Sequence, residues 1–588
     1  MSTARYIQFI SNRPDTQPAA IYVNLEADTP TIDAGRGLET LESHELILKW
    51  SGEAPEWFSD WIGELNERNA DLRWWAYAST AKNWLSSALG SRVLEVLAIR
   101  NLAHSGQYRH IHIRGATDGQ ISSMSRLLRP AFSVRLPGAM YLGIKGFFRH
   151  VLAILRTIFQ AIRIWAAFQF LRRNNRQGHQ DIVVVTYVDG PLESEWDRYF
   201  GDLPTLIREQ APSKRIVYVA YVYTPYRKRL QDISSVSPTP YIPLFQFLNA
   251  GDLLRAVGQT IGATFLRHAN LGTSNVHAEA MKDLLKEALM EDVSKRGYLH
   301  NLLVYFSTVR MTRELSPKTV IYPYENKSLE KELLIGVRTA SATTGLIGYQ
   351  HTSITPRHIG LQFGKNEAAR TPLPDRIVTV GNITRNFLES TGNYPAGMLV
   401  TGCALRQVWE APLPQKPFAL ERPKVLLSLS SSIGELISAL AFMRQVKERL
   451  PGLELGVRPH INFPLRTLPS ELLGWVNRNA IDLSGTKLHE NIAWADHTVY
   501  VSSTVALESL MVGRPVIYLK IDPSNPDPLL GNVRFRWYAE NVDEFLGALS
   551  SFAKLEASQI DMLRNEAIDY VRNYLAPKSR EAVASFLQ

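Results

Sequence analysis

Two runs leave this chain little choice of fold. Residues 181–187 read DIVVVTY and residues 215–223 read RIVYVAYVY. A strand with one wetted face alternates apolar and polar side chains. These runs are β-branched or aromatic almost throughout, as a strand covered on both faces must be. A helical run at Leu203–Gln210 lies between them, and strand, helix, strand in that order predicts a parallel sheet of doubly wound α/β type. Further strands are expected at Phe245–Leu248, Val320–Pro323, Thr344–Tyr349 and Arg376–Val380, with helices at Gly251–Arg267, Glu279–Val293, Tyr298–Leu315 and Glu330–Ala342.

Ala411–Pro423 (APLPQKPFALERP) carries four prolines and reads as an interdomain linker. The alternation then restarts. Strands are expected at Lys424–Ser430, Leu453–Arg458, Ile481–Leu483, Thr498–Val501 and 516–519. Helices are expected at Gly434–Arg449, Leu488–Trp494, 505–511, Val542–Phe552 and Ala557–Tyr574.

The N-terminal residues, to about 125, predict a small Trp-rich α/β unit. Its expected strands are Ala20–Leu25, Glu45–Lys49, Leu72–Ala76 and Ile111–Arg114, and its helices Glu56–Arg68 and Leu89–Ala98. Trp57 and Trp61 at helical spacing, with Trp74, read as core in preference to a carbohydrate-stacking platform.

The net charge of +9 belongs to one segment. No acidic residue lies between Asp118 and Asp181, a stretch with ten basic ones; the remainder holds 55 basic against 56 acidic residues. That concentration argues against a nucleic-acid surface. The same segment is strongly apolar from Leu142 to Leu171, and Lys145, Arg149, Arg156, Gln160 and Arg163 share one helical arc. No run of about 20 residues is free of charge, which disfavours a simple transmembrane span. Two readings remain: a helix lying in an anionic membrane surface through Arg149, Arg156 and Arg163, or a long interdomain helix with its arginines paired elsewhere. The single cysteine, Cys403, excludes an internal disulfide framework. The N-terminus lacks the apolar run of a secretory signal, so a cytoplasmic protein is expected.

Ligands of doubly wound sheets lie at the carboxyl ends of the strands, and the chemistry-bearing residues fall there. After the linker these are Ser430, Ser431 and Ser432 in SLSSSIG, Arg458 and His460 in RPHINFP, and Ser502, Ser503 and Thr504 between a strand and a helix. Hydroxyls, backbone N–H groups and a helix start converging on one point suit a phosphate; helix capping is the plainer alternative. Glu508, one turn into that helix, stands within reach of a ribose. Before the linker, Asp189 (TYVDG), Glu325 (YENK) and His351 (GYQHTS) each follow a strand. A carboxylate there suits taking the proton of an acceptor hydroxyl, with a turn Asp or a helix N-terminal charge as the plainer alternatives. His351 suits binding a phosphate or a substrate carboxylate, or is a hydrogen-bonded structural histidine. Dinucleotide and P-loop glycine motifs, zinc signatures and a D-x-D at a strand end are all absent from the sequence, so neither a metal nor a cofactor is expected.

RPHINFP resembles the "HP" motif of bacterial GT-B glycosyltransferases that use CMP-activated sialic acid or Kdo, although Ile461 stands where a proline is usual. Ser502–Ser503 resembles their paired Ser/Thr phosphate motif, and Asp189 before Gly190 resembles the motif carrying their general base, with Val188 in place of a second acid. RWWAYASTAKNWLSSAL (73–89), FGDLPTLI (200–207) and YENKSLEKEL (324–333) resemble a family of bacterial surface-carbohydrate biosynthesis proteins. The elements divide the chain into 1–125 as an N-terminal domain, 126–178 as a basic amphipathic segment, 179–410 and 424–588 as Rossmann-like domains and 411–423 as a linker. The resemblance makes the first of the two Rossmann-like domains acceptor-side and the second donor-nucleotide. It implies a metal-independent transferase moving an acidic sugar from a CMP donor to a glycan or lipid-linked acceptor, peripheral on the inner face of the cytoplasmic membrane. A UDP- or GDP-sugar transferase of the same fold, and a non-catalytic scaffold of glycan assembly, are the alternatives.

Overall fold

The computed structural model describes residues 6–587 apart from 12–19, 26–38, 84–85, 130, 136–141, 170–177, 191, 193–195, 235–240, 267–268, 274, 296, 410, 417, 430–432, 461–462 and 522–525. Three sheets organise it. The first holds β1 (Tyr6–Ser11), β2 (Ala20–Asn24), β3 (Glu39–Glu42), β4 (His110–Arg114) and β5 (Phe132–Arg135) in the order β3-β2-β4-β1-β5. Here β1 runs antiparallel to β4 and β5, while β2 pairs in parallel with β3 and β4. The sheet thus continues to Arg135, ten residues past the boundary expected at 125.

The second sheet comprises β6 (Ile182–Val188), β7 (Ile216–Val222), β8 (Tyr241–Pro243), β9 (Thr319–Pro323), β10 (Gly345–Gln350), β11 (Arg376–Thr379) and β12 (Leu399–Thr401). It is parallel throughout in the order β12-β11-β10-β9-β6-β7-β8. The third comprises β13 (Lys424–Ser428), β14 (Glu454–Arg458), β15 (Ala480–Asp482), β16 (His497–Tyr500), β17 (Val516–Leu519) and β18 (Arg536–Ala539), parallel in the order β15-β14-β13-β16-β17-β18. Both orders are those of a Rossmann-like doubly wound sheet, and each reverses direction at one switch point, β6/β9 in one and β13/β16 in the other. All seven residues of β6 are buried, as its composition demands.

Two expected strands are helices. Glu45–Lys49 falls inside the helix Ser43–Trp50, and Leu72–Ala76 covers a short helix at Leu72–Trp75 and its C-cap Ala76. In the second case Asp71 caps the turn by accepting from the Trp74 N–H at 2.9 Å. Trp74 and Trp75 are consecutive and both buried, which a half-covered strand forbids. Phe245–Leu248 is largely a 3-10 turn following the brief β8. Trp57 and Trp61 stack at 5.3 Å within the core, as their spacing implied; Trp84 lies outside the described residues.

The domains interlock. Lys82 and Glu367 form an ion pair of 2.7 Å with both side chains essentially unexposed, joining the N-terminal domain to the loop after β10. Asn66 Nδ2 donates to the same carboxylate at 2.6 Å. At the other end of the chain the helix Ala557–Tyr574 returns from the third sheet to the second. The Ala576 N–H donates to Val380 O at 2.8 Å, and the Tyr574 hydroxyl donates to Ile354 O at 3.2 Å and to Pro528 O at 3.0 Å, one carbonyl in each domain. Gly201, at φ +54°, lies so close to the chain beyond β12 that a Cβ would meet Leu405 O at 2.2 Å.

The basic segment forms one helix, Leu142–Gln169, whose window Val151–Phe168 has a mean hydropathy of 1.6. Ala153, Thr157, Ala161, Ile164 and Phe168 form a buried row three and four residues apart, and the helix packs against the helices Ala250–Ala263 and Lys282–Lys295. The opposite face exposes Leu155, Phe159 and Ile162 at 58, 61 and 60%, with Arg156 and Arg163 also exposed. Arg149 falls in the initial turns, whose side chains are outside the described residues.

Candidate active site

The carboxyl ends of β9 and β10 build the densest polar cluster at the second sheet's switch point. Tyr324 continues the ladder, its N–H donating to Tyr349 O at 2.7 Å, and Asn326 then turns the chain at φ +57° while its Nδ2 donates to Gly360 O at 2.6 Å. Asparagine tolerates that left-handed conformation better than most residues. The turn brings the flanking side chains together: Lys327 Nζ lies 2.7 Å from Glu325 Oε2. His351, from the next strand end, places Nε2 3.3 Å from Glu325 Oε1. Glu330, one turn into the following helix, accepts from the Glu325 N–H at 3.0 Å and from the Tyr187 hydroxyl at 3.0 Å.

Burial, and then the neighbouring Glu325, holds the Glu330 carboxyl up at about 8, so at neutral pH it keeps a proton. Burial lowers the Lys327 ammonium, but Glu325 and Glu330 outweigh it and leave the pKa raised. His351 is buried against the Tyr199 ring at 5.0 Å, and burial, with Arg406 and Lys327 adding to it, holds its pKa down at about 3. The imidazole is therefore neutral, and neither ring nitrogen has a hydrogen-bond partner among the described residues. Glu325 and His351, two of the three expected catalytic residues, thus meet.

Asp189 does not join them. Its carboxylate receives Arg198 Nη1 at 2.7 Å, and its carbonyl receives Arg229 Nη2 at 2.6 Å. Asp189 thus anchors Arg198. Burial lowers the His460 pKa, and Arg198, from the opposite domain, adds to that electrostatically.

In the third sheet, β13 and β16 diverge at the switch point, and the Ser428 and Ser503 hydroxyls bridge their ends at 2.9 Å. Ser502 donates through its hydroxyl to Glu435 Oε2 at 2.5 Å and through its N–H to Glu435 Oε1 at 3.4 Å. Thr504 precedes the helix Val505–Met511 without a side-chain cap and is exposed. Ser430, Ser431 and Ser432 lie outside the described residues.

Arg458 is committed elsewhere than expected. Its Nη1 donates to Thr486 O and Asn491 Oδ1, both at 2.7 Å, and to Leu483 O at 3.3 Å. It ties the loop after β15 to β14, a role that its position at a strand end does not reveal. Glu508 lies in a recess of about 230 Å³ with Arg406, His489 and Leu488. Burial raises its carboxyl to about 7, against the pull of Arg406 and Arg458.

Arg406 is the residue that the sequence did not flag and the fold makes central. It acts electrostatically on His351 in one domain and on Glu508 in the other. Lys327, Glu330 and Arg198 were likewise unmarked, although Lys327 stands two residues from Glu325 within YENK. A carboxylate, a neutral imidazole and three cations around a cleft can accept a proton and offset a leaving phosphate.

Neither a family model nor a curated protein matches this chain. Among solved structures it is similar to UDP-GlcNAc 2-epimerase from Neisseria meningitidis, at 9% identity and TM-score 0.40, covering 69% of this chain and 99% of that one. It is also similar to Anabaena HepE, solved with UDP and glucose, at 10% identity and TM-score 0.39, covering 70% and 98% respectively. A third is the wall teichoic acid polymerase TagF, at 10% identity and TM-score 0.35, covering 76% and 96%.

Proposed function

We propose that this protein is a metal-independent glycosyltransferase that moves an acidic sugar from a CMP donor to a surface glycan. The observation that carries this is the convergence of Glu325, Lys327 and His351 at one switch point, opposite a second switch point with Glu508, His460 and Ser502–Thr504. Glu325 is the base: it takes the acceptor hydroxyl's proton as that oxygen attacks the anomeric carbon, and Lys327 holds it at 2.7 Å in the resting site. His351, too weakly basic at about 3 to compete for the proton, lends a neutral hydrogen-bonding group to the substrate. Arg198, Arg406 and His460 face the departing nucleotide phosphate and a carboxylate on the sugar; Glu508 faces the ribose. A phosphate at Ser502 displaces the Glu435 carboxylate from that hydroxyl, so the serine loop rearranges on donor binding.

The helix Leu142–Gln169 seats the protein on the inner face of the cytoplasmic membrane. Its exposed apolar row, with Arg156 and Arg163 and no acidic residue, matches an anionic surface. The buried row from Ala153 to Phe168 ties it to the folded domains, which suits a helix lying in a surface better than one crossing it.

Purified protein supplied separately with CMP-, UDP- and GDP-activated sugars tests this. Release of CMP from an ulosonic-acid donor, absent in Glu325→Gln, is expected. Release of UDP or GDP with no CMP overturns the donor assignment, and no release from any donor favours a scaffold.

A further inference from the structure

Between the N-terminal and second domains lies a cavity of about 530 Å³, within the size range of small-ligand sites. It opens at the carboxyl end of β7. Tyr221, Tyr223, Tyr226, His300, Lys327 and Ser86 are among the residues that line it. Lys327 is the link to the chemistry: the ammonium on this cavity's wall is the one that holds Glu325 at 2.7 Å. The cavity thus comes within one side chain of the base. Lys295, also on the wall, adds a second cation.

The far wall leads outward. The Tyr226 hydroxyl meets His300 Nε2 at 2.5 Å, and the Tyr226 ring packs on Phe168 at 5.4 Å. Phe168 belongs to the buried row of the helix Leu142–Gln169; burial raises Tyr226 to about 12 and lowers His300 to about 4, and Arg163 on that helix's exposed side acts electrostatically on both. Tyr226 and the helix itself stand between the cavity and the exposed apolar face. Arg227 and Lys228, which follow Tyr226, are exposed next to this wall.

Resting on the transferase assignment above, we infer that this cavity is the acceptor site and that its acceptor is an anionic glycan anchored in the bilayer on which the Leu142–Gln169 helix lies. Tyrosine rings with their hydroxyls suit the apolar faces and polar rims of sugars, and Lys295 and Lys327 suit acidic or phosphate substituents. Presenting the acceptor on the surface that holds the enzyme makes the encounter nearly intramolecular, which raises its effective concentration by about 10²-fold or more.

The test uses the full chain and two forms of one acceptor. Lipid-linked glycan in phosphatidylcholine–phosphatidylglycerol vesicles is compared with the water-soluble glycan released from it by mild acid. Leu155→Ser/Phe159→Ser/Ile162→Ser is expected to lose vesicle flotation and about 10²-fold of the transfer to vesicles, with transfer to the soluble glycan unchanged. Ser86→Trp, which narrows the cavity, is expected to raise the KM for both acceptor forms without moving the donor KM. Lys295→Gln, at a site 58% exposed on the side chain, removes the charge without setting a carboxylate against Glu291 and is expected to raise the acceptor KM likewise. Unchanged acceptor KM in both cavity variants overturns the acceptor site, and equal loss with both acceptor forms in the triple variant overturns membrane presentation. If wild type releases no nucleotide from any donor, the transferase assignment itself has failed instead.

Discussion

His351 Nε2 stands 3.3 Å from Glu325 Oε1, yet neither nitrogen of this buried imidazole makes a hydrogen bond within the described structure. A buried polar group left unsatisfied costs about 1–3 kcal/mol, so its persistence points to a partner that arrives with substrate. Glu325→Gln is expected to reduce transfer by about 10²–10⁴-fold with little change in donor affinity, since it removes the proton acceptor alone. His351→Leu is expected to raise thermal stability while lowering transfer. A stability loss in that variant speaks for a structural histidine.

Glu330 sets a pH dependence of stability. Its carboxyl is held up at about 8 in the fold against 4.5 when free. Between these values the native state carries a proton that the unfolded chain has released, so the contribution is complete below 4.5 and is lost as pH rises through about 8. Melting temperature is expected to fall across that window, and Glu330→Gln to flatten the slope. An unchanged slope removes Glu330 as its source.

His497 acts on the acid side. It is enclosed by Phe418, Trp537 and Phe552 with no partner for either ring nitrogen among the described residues, and burial holds it down at about 3. Its contribution is present above the free value of 6.5 and is lost as pH falls toward about 3, because only the unfolded chain takes up the proton. His497→Leu is expected to melt higher than wild type near pH 5, with the difference shrinking near pH 7.

The Lys82–Glu367 pair joins two domains in a dry setting. Lys82→Met strands a buried carboxylate and is expected to cost about 3–5 kcal/mol in denaturant unfolding. Lys82→Met combined with Glu367→Leu is expected to recover part of that, because no charge is then left unpaired. A double variant no more stable than the single one counts against the pair as the main interaction.

Arg458→Lys is expected to destabilise the third sheet about as much as Arg458→Ala, because one ammonium cannot reproduce the set of contacts to Leu483, Thr486 and Asn491. A pure phosphate ligand behaves differently: lysine retains the charge, and donor KM would recover with no change in melting temperature.

The sheets were the most legible part of this chain. Runs such as IVVVTYV are apolar on both faces whatever their surroundings, and the spacing of helices between them leaves a parallel doubly wound arrangement as the consistent solution. The weaker elements were missed where local pattern fits two periods: ELILK within Ser43–Trp50 serves a strand or a helix equally, and only packing chooses. Strand-end positions of Asp189, Glu325, His351, Arg458 and His460 were legible for the same reason as the sheets. Their partners were not. Arg198 neutralises Asp189 from nine residues away, the 483–491 loop claims Arg458 from at least 25 residues away, and Arg406 reaches both His351 and Glu508. The sequence by itself determined which residue types stand at the strand ends, because β-branched runs and their interruptions are local. Only the tertiary structure decided which of those side chains are free to react, because charge pairing and desolvation act through space between segments whose separation in the chain carries no signal.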